Sequence, residues 1–174
     1  MKFTVNAPGA TRQRTACAIV GIYLDGILSD TAQALDKASG GLLSDVTRNR
    51  DIRGETGETL LLTHTGKLPC KRILLVGLGK SGKLEQRGYR KAIRAAYSAL
   101  GKAGHADLSN FLGLEPVSDA DAYRKARIAV ELWHETSYRF TAMKSAPPAK
   151  PSRLKSVGLA CATADRRQTL LAVK

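Results

Sequence analysis

The stretch Lys71-Arg72-Ile73-Leu74-Leu75-Val76-Gly77-Leu78-Gly79-Lys80-Ser81-Gly82 decides the fold. Its apolar run shows no alternation, the pattern of a strand covered on both faces, and three glycines then lead into a long amphipathic segment. This is a buried central strand entering a helix, and the rest of the chain must pack around it. Gly77, Gly79 and Gly82 spell G-x-G-x-x-G, and Gly79-Lys80-Ser81 spells the end of a P-loop. A P-loop also requires a glycine where this chain has Leu74. A dinucleotide site requires an acidic residue ending the next strand about 20 positions on, and that region is Ala99-Leu100-Gly101-Lys102. The glycines therefore read as a strand-to-helix turn.

Further outward, Lys2 to Asn6 and Ala16 to Leu24 read as strands, the second nearly all apolar and therefore central. Asp25-Gly26 turns the chain, and Ser29 stands as N-cap before Ala32, Leu35, Ala38, Leu42, Leu43 and Val46 at helical spacing. Gly40-Gly41 breaks or kinks that helix. Residues 50–58 form a polar loop, and Thr59 to Thr65 a strand that turns at Gly66-Lys67 to form a hairpin with the central strand. Beyond Gly104, Asp107 to Leu114 is a strand candidate, and Ser118-x-x-Asp121 opens a long helix as a capping box, with Ala122, Ala126, Ala129, Val130, Trp133 and Ser137 to Phe140 as its apolar set. Ala146 to Pro151 is an extended connector before a last strand, Ser156 to Cys161. The whole describes one α/β domain.

Charge is the compositional outlier. Lys and Arg outnumber Asp and Glu by 28 to 15, giving +13 over 174 residues, a balance that favours acidic partners. Residues 71–104 and 139–155 together carry all of this excess. On the helix after Gly82, Tyr89, Ile93, Ala96, Tyr97 and Leu100 share one side. Lys83, Arg87, Arg90, Lys91 and Arg94 share the other, with Lys80 at its foot and no Glu in reply. These six cations are the candidate nucleic-acid-binding residues. The alternative is a solvated helix face.

Other chemistry finds little support. Cys17, Cys70 and Cys161 are far apart and read as buried thiols, His64 and His105 are isolated, and His134-Glu135 lacks the second histidine of H-E-x-x-H because position 138 is Tyr. No metal or catalytic set is expected. No apolar run approaches the roughly 20 residues that span a bilayer and the N-terminus lacks a signal-peptide pattern, so a cytoplasmic protein with no membrane partner is expected. Residues 164–174 begin a helical pattern with no C-cap glycine, which reads as the start of a linker helix (163–174) following a domain of residues 1–162.

In order, the Leu35-Asp36-Lys37 helix, Gly54-x-x-Gly57-Glu58-Thr59-Leu60-Leu61-Leu62, Arg72 to Lys80, Tyr89-Arg90-Lys91-Ala92 and Tyr138-Arg139-Phe140 before a basic Pro-rich connector resemble the N-terminal domain of bacterial leucyl (cytosol) aminopeptidases. The resemblance covers the whole chain and rests on the ordering. It implies a macro-domain-like fold, a single three-layer domain with a mixed, mostly parallel sheet between helices. It also implies an absent catalytic domain that holds two divalent ions, zinc or manganese, and a homo-hexamer; some bacterial members bind DNA. The family's Asn-Thr-Asp-Ala-Glu-Gly-Arg-Leu motif occurs nowhere here, so no catalytic or metal-binding residue is assigned. A stand-alone macro-like domain binding ADP-ribose and a plain basic nucleic-acid-binding module are the competing readings. The purified chain is expected not to hydrolyse amino-acid amides with added zinc or manganese. Metal-dependent turnover that survives repurification would overturn this.

Overall fold

In the computed structural model, which describes residues 2–6, 9–101, 106–142 and 154–173, the two most apolar runs become neighbouring parallel strands. Strand β2 (Cys17–Tyr23) and strand β5 (Ile73–Gly77) are buried along their whole lengths and pair from Ala18 opposite Ile73 to Ile22 opposite Gly77. Five further strands complete one sheet: β1 (Lys2–Asn6), β3 (Ile27–Leu28), β4 (Thr59–Leu62), β6 (Asp107–Asn110) and β7 (Ser156–Ala160). Their order is β1-β7-β6-β2-β5-β4, with β3 on β2; β3 and β4 run antiparallel to their neighbours and the rest are parallel. The predicted hairpin thus forms. Strand β2 lies nearer the centre than β5, which has only β4 beyond it.

Alternation along these strands divides the core in two. Ile19, Leu74 and Val76 face helices α3 (Gln86–Leu100), α4 (Ala122–Ala142) and α5 (Arg166–Ala172), while Val20, Ile22, Ile73 and Leu75 face α1 (Asp30–Ser39) and α2 (Leu42–Arg48). The result is three layers. Each fully buried Leu, Ile or Val contributes on the order of 2 kcal/mol, so β2 and β5 anchor both layers at once. Tyr97 and Trp133 lock α3 to α4 edge-on, with ring centroids 5.1 Å apart. Cys17, Cys70 and Cys161 are buried thiols as expected, and burial pushes Cys17 up to about 12, which leaves it unreactive.

Local signals hold in some places and fail in others. Ser29 caps α1 by accepting from the Ala32 N–H at 3.4 Å, and Gly40 and Gly41, both left-handed, end it. Helix α3 starts at Gln86, so Lys80 and Lys83 stand in the loop before it rather than on the helix. The segment expected as a strand to Leu114 leaves the sheet after Asn110 and winds into a 3-10 turn, Leu112–Leu114. Ser118 is not the cap of α4. Its N–H is drawn to the Leu84 carbonyl at 3.0 Å, and Asp121 caps the helix instead, accepting from the Arg124 N–H at 2.7 Å. Ile128 and Leu132, absent from the predicted apolar set, are fully buried on α4. The connector at 146–151 lies outside the described residues. Helix α5 buries Thr169 and Ala172 and leaves Leu170 and Leu171 exposed. The capping assignment is checked by mutation: Asp121→Ala should cost about 1 kcal/mol in chemical denaturation, and Ser118→Ala less than about 0.5 kcal/mol. The reverse order would restore the Ser118 cap.

Candidate binding sites

Open α/β sheets take ligands outside the carboxyl ends of their strands, where the direction of chain progression reverses. Here that point is β2. The chain runs from β2 to β5 on one side and returns through α3 to β6 on the other. Its crevice is filled by protein. Segment 54–58 is hydrogen-bonded across the end of β5, with the Gly57 N–H donating to the Gly77 carbonyl at 2.9 Å, the Gly77 N–H to the Glu58 carbonyl at 2.8 Å and the Gly79 N–H to the Gly54 carbonyl at 2.9 Å. A Cβ on Gly54 would collide with the Tyr23 carbonyl, and one on Gly77 with the Glu55 carbonyl. Gly79 needs its positive φ of 80° to make the turn. The central glycines therefore serve backbone-to-backbone contact.

Behind this closure lies a buried polar cluster that composition did not signal. Glu115, 5% exposed, accepts from the Tyr23 hydroxyl at 2.7 Å, and its carbonyl accepts from the Lys125 ammonium at 2.9 Å. Burial raises the Glu115 carboxyl above its ordinary range against the pull of the Tyr23 and Ser29 hydroxyls. Burial likewise lowers Lys125, opposed by Asp165, Glu115 and Asp121. A cavity of about 10 Å³ beside Lys125, Asn110 and Cys161 has room for one water and nothing larger.

The six predicted cations all line one open groove between α3 and the loop before it, with a volume of about 780 Å³. Lys80, Lys83, Arg87, Lys91 and Arg94 are exposed and Arg90 half-buried. The expectation of an unanswered stripe needs revision. Arg94 pairs with Glu135 at 3.0 Å and Arg90 approaches Glu131 at 3.6 Å, both acids reaching across from α4. Glu131 also holds Arg127. Asp119 enters the same groove and accepts from the Gln86 N–H at 2.5 Å, capping α3, whose Glu85 does not cap it. The sequence did contain a signal for the cross-helix pairs: Arg90/Arg94 and Glu131/Glu135 share a spacing of four on two amphipathic helices. Among the described residues no carboxylate pairs with Lys80, Lys83, Arg87 or Lys91. No group of three or more His, Cys, Asp and Glu side chains able to hold a metal ion stands together among the described residues either.

A three-layer α/β domain closed at its switch point and grooved on one helix is the class these features define. Solved structures share that fold: a Trypanosoma brucei macrodomain in complex with ADP superposes with a TM-score of 0.74 at 16% identity over 99% of this chain and 69% of its own. A tomato leucine aminopeptidase variant superposes with a TM-score of 0.69 at 19% identity over 99% of this chain and 35% of its own. The profile of the cytosol aminopeptidase family, N-terminal domain, matches residues 19–147, and the chain belongs to that family. A probable cytosol aminopeptidase of Methylobacillus flagellatus is 41% identical over 84% of this chain and 30% of its own length. One of Nitrosospira multiformis is 37% identical over 91% and 31%. The chain spans about a third of the length of these relatives.

The Glu115 cluster makes a pH prediction. A carboxyl raised on folding contributes stability that is full below its unfolded value and lost as pH rises through the folded value. Wild type should therefore lose stability relative to Glu115→Gln as pH climbs from about 4.5 toward neutrality. Thermal melts of both proteins across that range check it, and parallel curves would mean that Glu115 is not perturbed.

Proposed function

We propose that this chain is the non-catalytic N-terminal domain of a longer metal-dependent leucyl aminopeptidase that releases N-terminal amino acids from peptides. The observation carrying this reading is the match itself, which covers 84–91% of this chain and only 30–31% of the relatives. The two divalent ions, zinc or manganese, do not fit the described residues of this chain. They are assigned to the catalytic domain. Residues 1–162 would then be the domain and 163–174 the start of the helix toward its catalytic partner. A cytoplasmic location accords with the relatives' names and with the finding that no described helix is long and apolar enough to cross a membrane. A homo-hexamer, with this domain contributing to assembly, completes the proposal. The reading frame downstream of Lys174 tests it: the family's Asn-Thr-Asp-Ala-Glu-Gly-Arg-Leu motif is expected there, and a frame without it would overturn the assignment.

A second reading, supported by the groove, is that this domain also binds DNA. Its footprint is Lys80, Lys83, Arg87 and Lys91, with Arg90 and Arg94 committed largely to Glu131 and Glu135. Nothing in the groove marks a base-reading module, so contacts should be to phosphates and insensitive to sequence. The ADP-ribose alternative is less favoured because the crevice at the strand ends is closed by segment 54–58. With about four phosphate contacts, log K should fall against log salt with a slope near −3.6. Fluorescent-duplex titrations should show that slope for wild type and almost no binding after reversal of Lys80, Lys83, Arg87 and Lys91 to Glu. Arg90→Gln/Arg94→Gln should do far less. Equal affinity in all three proteins would assign the groove to solubility.

A further inference from the structure

Three consecutive backbone N–H groups converge on one atom in the loop that closes the crevice. Arg53, Gly54 and Glu55 donate to Glu58 Oε2 at 3.0, 2.9 and 3.2 Å. Gly54 has a φ of 85°, and a left-handed residue within such a run curls successive N–H groups toward a common centre. This is the geometry by which backbone holds phosphate or carboxylate. Gly54 is pressed against the Tyr23 carbonyl at the end of β2, and its own carbonyl accepts from the Gly79 N–H just beyond β5. The concavity therefore stands at the switch point. Its middle donor, Gly54, is buried, whereas Arg53 and Glu55 on either side are exposed and Glu58 is half-buried, so the concavity stands at the edge of the surface. The stem of Lys91 lies across Gly57 in the same loop.

We propose that the N–H groups of Arg53, Gly54 and Glu55 form a binding site for a ligand phosphate group, and that Glu58 of the same chain occupies it and excludes such ligands. A loop that needed only to be rigid could satisfy these donors with water or with separate acceptors. Here a single anionic oxygen takes all three, and it belongs to a side chain tethered three residues away. At that effective concentration the tethered carboxylate outcompetes phosphate present at lower concentration. The domain keeps a place for anions where α/β sheets hold ligands, filled from within.

Replacing the side chain separates occupancy from rigidity. Glu58→Ala empties the concavity, whereas Glu58→Gln leaves an oxygen able to accept the same bonds; the backbone bonds of residue 58 to Glu55 and Gly77 persist in both. Melting temperatures of wild type, Glu58→Ala and Glu58→Gln would be recorded in sodium phosphate and in sodium chloride of equal ionic strength, with wild type reporting the general stabilisation by phosphate. Glu58→Ala is expected to melt lower in chloride and to regain stability in phosphate, beyond the change seen for wild type and Glu58→Gln, because phosphate binds the folded state alone. Amide NMR shifts on phosphate titration should then fall on Arg53, Gly54 and Glu55, with an apparent affinity at least about tenfold above wild type. Equal phosphate responses in all three proteins would overturn the proposal, as would a Glu58→Ala protein, folded or not, that phosphate fails to stabilise.

Discussion

The close approach of backbone to backbone between Gly54 and the end of β2, and between Gly77 and Glu55, is the constraint on which the rest depends. No side chain fits at either glycine, and the space is used by a chain of bonds from Leu24 through Gly79 and Gly54 and from Gly57 through Gly77 to Glu58. Buried backbone groups left without partners cost about 1–3 kcal/mol each, so the network behaves as a unit. It fixes the path of the chain beyond β5. That path determines where Leu78 and Leu84 enter the core and where α3 begins, and the basic groove is the outer surface of the same path.

Electrostatics are arranged around this frame. The acids of α4 are spent on the inner arginines of α3, fastening two helices whose apolar faces already meet through Tyr97 and Trp133. Exposed pairs of this kind contribute at most about 1 kcal/mol, so their consequence lies more in the charge they remove from the groove than in stability. The cations that no described carboxylate pairs lie toward the strand end of the groove, on the loop and the first turns of α3. Deeper in, Glu115 and Lys125 show the opposite arrangement: both are charged groups pressed by burial toward neutrality, held because each has a hydrogen-bond partner.

Much of the architecture was legible because burial leaves period and composition in the sequence. The continuous run Ile73 to Val76 could only be a strand covered on both faces, and Ser29 with Gly40-Gly41 framed a helix by cap chemistry alone. What was hidden required two segments to meet. Ser118 satisfies the capping-box pattern as well as any serine, but the helix begins four residues later at Ala122, where Asp121 caps it, and the Ser118 N–H bonds to the Leu84 carbonyl instead. The stripe on α3 looked unanswered because its acids are on another helix. Glu58 read as one polar loop residue among several, since a backbone concavity has no sequence pattern beyond a glycine of suitable φ. The family was legible in the order of the motifs along the chain, and the family profile and the relatives bear that resemblance out.

With the strand-end crevice closed by segment 54–58, the proposed binding rests on the outer surface, and the lining of the groove narrows what that surface can hold. Among its described lining residues none is aromatic; six are lysines and arginines, and the others are Thr56, Leu78, Leu84, Gln86, Gly88 and the acids Glu85 and Asp119. Binding of single strands draws about 1–3 kcal/mol per base from stacking on aromatic rings, and this groove offers no such platform. Phosphates of a duplex require only positive charge on an accessible face, which is what Lys80, Lys83, Arg87 and Lys91 provide. Four such contacts would be weak at physiological salt. A closed assembly presenting several copies of the groove would convert successive contacts into intramolecular ones, raising the apparent affinity by about two to four orders of magnitude without any new contact. The two proposed roles are thus linked: assembly is what would make so sparse a footprint useful.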